Sequence, residues 1–237
     1  MRTLVISDIH HRIVTAQKLI DTVPCDKIIL LGDYFDSFGD NYQHADATAH
    51  WVRDFVLPNP KIVPLIGNHD TMYFWPQNDH FKCSGYTDTK KDAIQRILNR
   101  ENTDDFSKFQ FYHIDQGFFF AHAGLDNRLW KDMRRVFEAP SDKTKLEFVD
   151  EVLSHWVAQA RKDIGFNRNI ELLNAGWDRG GMQQVGGINW VDFSNFSPVQ
   201  GINQIVGHTP HRIPDVKIQK QGGAITVKDI FEYQDVK

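Results

Sequence analysis

Three times in the first 70 residues, a short apolar run stops at a polar cluster. Residues 3–7 lead into Asp8-Ile9-His10, residues 27–31 into Gly32-Asp33-Tyr34-Phe35-Asp36, and residues 61–66 into Gly67-Asn68-His69-Asp70. Runs this short and this rich in β-branched and aliphatic residues predict buried strands. A strand that ends on such side chains delivers its C-terminal end to a site. Three deliveries so close in sequence predict one shared site. The groups on offer are carboxylates, imidazoles and an amide oxygen, with no thiolate. That set suits two hard or borderline divalent cations held close together.

The rest of the composition narrows the class without choosing the chemistry. A chain of 237 residues can bury a full core, and no linker, repeat or low-complexity tract divides it, so residues 1–237 are expected to form one domain. A formal net charge of −4 lacks the basic excess of a non-specific nucleic-acid binder, while a nucleotide substrate stays open. Cys25 and Cys83 are far apart and form no CxxC pair, which argues against a disulfide framework. No apolar run approaches the roughly 20 residues of a membrane span. Asp8 interrupts the N-terminal run too early for a signal sequence. A soluble, cytoplasmic protein without a membrane partner is the expectation.

Strands and helices alternate through the first half. Ile13, Ala16, Gln17 and Ile20 carry a helical stripe that Pro24 follows, and Ala45, Ala49, Val52 and Val56 place a second helix over residues 44–57, closed by Pro58 and Pro60. The aromatic stretch Tyr73-Phe74-Trp75 leads into a polar loop and a helix near residues 88–100. It reads as hydrophobic support rather than as a base-stacking wall. Residues 110–115 and 117–121 predict two strands around a tight turn at Gln116-Gly117. The longest helix falls over residues 143–163, with Leu146, Val149, Leu153, Trp156, Val157 and Ala160 on one core-facing side. Residues 176–197, rich in Gly, Trp and Asn, lack a period and read as a long loop with room for one short strand. Residues 203–206, 215–219 and 224–229 return to strands.

Each polar motif alone has a plain alternative. A surface Asp near a His is usually solvated, Gly-Asp-x-x-Asp is often a turn with a helix cap, and Gly-Asn-His-Asp fits a tight turn. In order, each after a strand, they are hard to read as coincidence. Two later histidines repeat the pattern: His122 in Ala121-His122-Ala123-Gly124 follows Phe118-Phe119-Phe120, and His208 in Gly207-His208-Thr209-Pro210 follows residues 204–206.

The ordered set DxH, GDxxD, GNHD, HAG and GHT, spread over residues 8–209, resembles the calcineurin-like metallophosphoesterases. The resemblance implies an α/β fold (α+β in some schemes), a four-layer αββα sandwich of two mixed sheets with flanking helices and a dinuclear site at one end. It implies that Asp8 and His10 bind one metal, that Asp33 bridges, and that Asn68, His122 and His208 bind the second. His69 then resembles the general acid, oriented by Asp36, while Asp70 is more structural than catalytic. The implied reaction is hydrolysis of a phosphate ester by attack of a metal-bridging hydroxide, with manganese the first expectation for the ions and iron or zinc as alternatives. The expected partner is a phosphate-ester substrate, small molecule or phosphoprotein.

Departures from the family narrow this further. Where many relatives have His-x-His, this chain has His208-Thr209-Pro210, with His211 one residue late. That ending resembles the branch of protein-phosphatase-like enzymes and symmetrical dinucleoside-tetraphosphatases. The branch commonly carries Asp-Arg-Gly where Asp36-Ser37-Phe38 stands here. Trp177-Asp178-Arg179 resembles another stretch of that branch and makes Arg179 the candidate phosphate clamp, a surface ion pair being its plain alternative. Phosphomonoester hydrolysis is the leading expectation. Dinucleoside polyphosphate or nucleotide phosphodiester hydrolysis is the alternative, and a non-catalytic scaffold on the same fold is less favoured because every expected position is filled.

Overall fold

Side-chain alternation along the strands decides the layers. The computed structural model describes residues 1–98, 105–139 and 142–210, with the backbone of Val216–Gln219 and Gly222–Thr226. Strands β1 (Thr3–Ile6), β2 (Lys27–Leu30) and β3 (Ile62–Pro64) pair in parallel in the order β1-β2-β3. Parallel neighbours need crossovers. Helices α1 (Ile13–Thr22) and α2 (Tyr42–Trp51) supply them. In the second sheet, β4 (Tyr112–Asp115) and β5 (Phe118–Ala121) form a hairpin through Gln116-Gly117, both with positive φ. Strands β6 (Asn203–Val206), β7 (Val216–Gln219) and β8 (Gly222–Thr226) complete the order β4-β5-β6-β8-β7. Of the two sheets expected to be mixed, the first is wholly parallel among the described residues and the second is mixed.

Successive residues of a strand point to opposite faces. Ile29, Leu31 and Leu65 of the first sheet therefore meet Phe120 of the second, flanked by Val5, Val63, Phe118 and Ile205. The opposite faces, with Ile6, Ile28 and Leu30 on one sheet and Phe119, Ala121 and Val206 on the other, join the larger core that the helices share. The order helix, sheet, sheet, helix follows from those two clusters.

Helix α2 starts at Tyr42, two residues earlier than its apolar stripe indicates, because the Asn41 side chain accepts from the N–H groups of Gln43 and His44. It widens into a π-helical turn over Val52–Val56. Tyr73 and Phe74 of the aromatic stretch close a helix, α3 (Asn68–Phe74), which opens directly on the third polar cluster, and Trp75 follows its end. Helix α4 is Asp88–Leu98; the expected Asn99 and Arg100 lie outside the described residues. Helix α5 (Asn127–Met133), capped by Asp126, had no period to reveal it. Helix α6 (Lys145–Asp163) starts after the Thr144 cap and buries Phe148, Val149, Val152, Leu153 and Ala160. Asp215, Val227, Lys228 and Asp229 lie outside the described residues, as does His211. Segment 176–197 holds no strand; it has a 3-10 turn at Trp177–Arg179, an isolated bridge between Gly176 and Gln183, and further turns. Its later half packs into the core: Ile188, Trp190, Val191, Phe193 and Phe196 are buried, and the Ile188 carbonyl accepts the N–H groups of Ala123 and Gly124. Among the described residues, no helix is long and apolar enough to cross a membrane.

Candidate metal centre

All the polar clusters fall at C-terminal strand ends. Asp8 and His10 follow β1, Asp33 and Asp36 follow β2, Asn68 and His69 open α3 after β3, His122 follows β5 and His208 follows β6. The backbone there is unusual. His10, Asp33, Asp36 and His208 have φ of 43°, 51°, 66° and 68°, a left-handed region that Asp and His visit more readily than most side chains. Hydrogen bonds hold these turns in place. The Asp33 carbonyl accepts the N–H groups of Ile9 and His10 at 2.9 and 2.7 Å. The buried Asp70 carboxylate accepts from the N–H groups of Asp33, Tyr34 and Gly67 at 2.8, 2.9 and 2.8 Å, joining the second turn to the third. Gly67 has no alternative at this crossing, because a Cβ there would overlap the backbone nitrogen and carboxylate of Asp33.

The Asp33 carboxylate lies centrally. Its Oδ2 is 3.6 Å from His10 Nε2 and 3.3 Å from His122 Nε2. Asp8, His10 and Asp33 bring donor atoms within 4.8 Å of one another, and so do Asp33, His122 and His208. The other ring nitrogen of each outer histidine is committed to backbone: His10 Nδ1 donates to the Asp36 carbonyl at 2.5 Å, and His122 Nδ1 donates to the Leu31 carbonyl at 3.0 Å. Those bonds leave Nε2 of each neutral ring as a lone-pair donor aimed inward. His122 Nε2 then faces Asn68 Oδ1 at 3.0 Å and His208 Nδ1 at 3.2 Å. Lone pairs converging on lone pairs repel unless a proton or a cation lies among them. The donor set therefore fits a divalent cation. Asp8 also ties the sheets together, accepting the His208 N–H at 3.0 Å.

Protonation follows the same charges. Burial opposes ionisation of Asp33, yet the imidazoles of His122, His69 and His10 hold its carboxyl far below the usual range. Burial lowers His122, but Asp33 and Asp8 outweigh it and lift the imidazole to about 9. His208 is driven well below its ordinary value by burial and by the neighbouring His122 and Arg179. Burial also opposes a charged His69, but Asp33, Asp36 and Cys83 together raise it to about 12.

His69 Nδ1 lies 3.1 Å from Asp36 Oδ2, and the backbone N–H of His69 donates to Asp33 Oδ1 at 2.9 Å. The expected His69–Asp36 pair is thus present, beside the carboxylate at the centre. Two residues invisible to motif reading complete it. The Lys90 ammonium and the Tyr73 hydroxyl each donate to Asp36 Oδ1 at 2.6 Å. Burial raises the Asp36 carboxyl, but bonds from His69, Lys90 and Tyr73 leave it below its ordinary value. The signal for Lys90 lies in its spacing: Lys90, Ala93, Ile94 and Ile97 share the buried stripe of α4, an odd place for an ammonium. A third donor group, His11, Asp36 and Asp40, has that ammonium at its carboxylates.

Arg179 lies outside the donor cluster and pairs with Asp192 at 2.7 Å. Its charge nevertheless bears on His208. The surface ion pair that was its plain alternative is present, in a position still within electrostatic reach of the centre. Phe74 is buried and Trp75 packs half-buried against the core, while the buried Tyr73 adds a polar contact to Asp36 that hydrophobic support alone does not include.

Comparison with known proteins places these observations. No curated protein matches the chain. Among solved structures, it is similar to a cold-active protein-tyrosine phosphatase of the psychrophile Shewanella sp., with a TM-score of 0.53, 15% identity, and coverage of 94% of this chain and 70% of that one. Another structure of a cold-active protein tyrosine phosphatase gives a TM-score of 0.57 at 14% identity, covering 98% and 70%. A protein serine/threonine phosphatase from Saccharomyces cerevisiae gives 0.47 at 14%, covering 96% and 67%. At such identities the first two likenesses show a shared fold. The model of the calcineurin-like phosphoesterases matches residues 1–213, nearly the whole described chain, and spans all five motifs. The chain belongs to the calcineurin-like phosphoesterase family and is a hydrolase of phosphate esters.

Proposed function

We propose that the protein is a binuclear metal-dependent phosphomonoesterase. The observation that carries this reading is the His69–Asp36 pair set against the carboxylate of Asp33, which two donor groups share. Asp8, His10 and Asp33 would hold one cation, and Asp33, Asn68, His122 and His208 the other, with manganese the first ion to load. Two divalent cations, when bound there, supply Lewis acidity toward the phosphoryl oxygens and the attacking water, and they offset the Asp33 charge that otherwise raises His69. His69 donates its proton to the leaving oxygen from Nε2, since Nδ1 is committed to Asp36. Asp36 keeps that ring in one orientation. Arg179 supplies one guanidinium fork, enough to grip a single phosphoryl group once it exchanges Asp192 for substrate.

A second reading, hydrolysis of a dinucleoside polyphosphate, draws support from two aromatic side chains. Phe38, two residues from Asp36, is fully exposed, and Trp177, two residues from Arg179, is 65% exposed. Both offer faces on which a base could stack. The test is hydrolysis of p-nitrophenyl phosphate, bis-p-nitrophenyl phosphate and diadenosine tetraphosphate by manganese-loaded protein. Preference for the monoester is expected. Preference for the dinucleotide would replace the first reading by the second, and silence on all three with metal bound would revive the scaffold.

A further inference from the structure

We infer that Lys90 is a positioning residue for the proton donor, acting through Asp36. The inference rests on the reading of His69 as that donor. Lys90 is 3% exposed, on the buried side of α4, and its ammonium reaches Asp36 Oδ1 at 2.6 Å and Asp40 at 3.1 and 3.0 Å. Burying an ammonium is costly unless carboxylates surround it, and a methionine of similar length would fill the same space without that cost. The arrangement gives the charge a use. Asp36 Oδ1 takes two donors, Lys90 and the Tyr73 hydroxyl at 2.6 Å, so the carboxylate is held against rotation. Its other oxygen, Oδ2, is left for His69 Nδ1. Tyr73 is itself fixed, stacked on Tyr86 at 5.5 Å between ring centres. Asp40 anchors the far side of the ammonium and links the loop after β2 to α4. The imidazole is thereby presented at one angle, with Nε2 free for the leaving oxygen.

A residue that merely supported the fold would, when replaced, slow every substrate alike or none. A positioning residue slows the esters whose leaving oxygen most needs a proton. The experiment uses the full chain loaded with manganese and compares His69→Asn, Lys90→Met and Tyr73→Phe on glycerol phosphate and p-nitrophenyl phosphate. Lys90→Met is expected to retain its metal and KM while kcat on glycerol phosphate falls at least about tenfold further than on p-nitrophenyl phosphate. Tyr73→Phe should show the same selectivity, more weakly. Should Lys90→Met fail to fold, Lys90→Gln, which keeps a donor and removes the charge, and Tyr73→Phe carry the comparison. Selective slowing by His69→Asn but uniform slowing by the Lys90 and Tyr73 variants would overturn the inference and leave the proton-donor reading standing. Uniform slowing by His69→Asn would remove that reading and the inference with it.

Discussion

Asp70 shows how much a single side chain can organise. Its carboxylate serves three backbone N–H groups from two separate turns, all buried. Asp70→Ala would strand those donors without water, at roughly 3–5 kcal/mol, while Asp70→Asn, which keeps one oxygen, should cost clearly less. Urea denaturation of the two variants measures the difference. An Asp70→Ala protein as stable as the unsubstituted chain would mean that the carboxylate is not what joins the turns. Asp33 makes a different demand. Its oxygens face His10, His122 and the His69 N–H, so Asp33→Asn removes the charge that both donor groups share. Bound manganese is expected to fall, with activity down by at least about a hundredfold, as read by metal analysis and turnover. A variant that kept its metal and full rate would rule out a bridging role.

The elements were legible to the degree that they carry a period. The stripe of α6 announces itself because burial on one side of a helix selects residues at fixed spacing, and strands Lys27–Leu30 and Phe118–Ala121 do so as unbroken apolar runs, since both of their faces are covered. Helix α3 did not, since only Asn68–Phe74 are helical and nearly all are buried, leaving no polar face to mark a period. Segment 176–197 packs through Trp190, Phe193 and Phe196 without repeating. The clustering of Asp8, His10, Asp33, His122 and His208 could be anticipated because strand ends and residue types coincide. Lys90 could not, because its partners Asp36 and Asp40 are about fifty positions away and only the fold brings them together. Helix ends follow local rules, and α6 offers a test. Thr144 and Glu147 cap each other reciprocally, through Thr144 Oγ1 at 3.3 Å and Glu147 Oε2 at 2.7 Å. Thr144→Ala should cost about 1 kcal/mol and leave turnover unchanged. A change in activity with no change in stability would tie this cap to the site in a way the structure does not show.

At the scale of the molecule, the centre is a seam. Asp8, His10 and Asp33 stand at the end of one sheet, His122 and His208 at the end of the other, with direct bonds between them through Leu31 and Asp8. A cation bound across the seam stabilises the folded chain by mass action. Manganese at a hundred times its dissociation constant should contribute about 2.7 kcal/mol, or roughly 5–10 °C in melting temperature, reversed by a chelator. Loading should also release protons. Asp33 and Asp8 raise the His122 imidazole to about 9 without a cation, so at pH 7 a proton would have to leave its Nε2 before that atom could take a metal. Apparent affinity should therefore rise with pH up to about 9. Calorimetry in buffers of different ionisation enthalpy reads the release directly, and identical heats in all of them would contradict it. The left-handed backbone at His10, Asp33, Asp36 and His208 has a consequence for descent. Few residues other than Gly, Asn, Asp and His accept such dihedrals cheaply. A descendant released from catalysis would drift within that small set, toward Gly and Asn where no side chain is needed, so the shape of the turns would outlive the chemistry and a lapsed enzyme could be recognised by them.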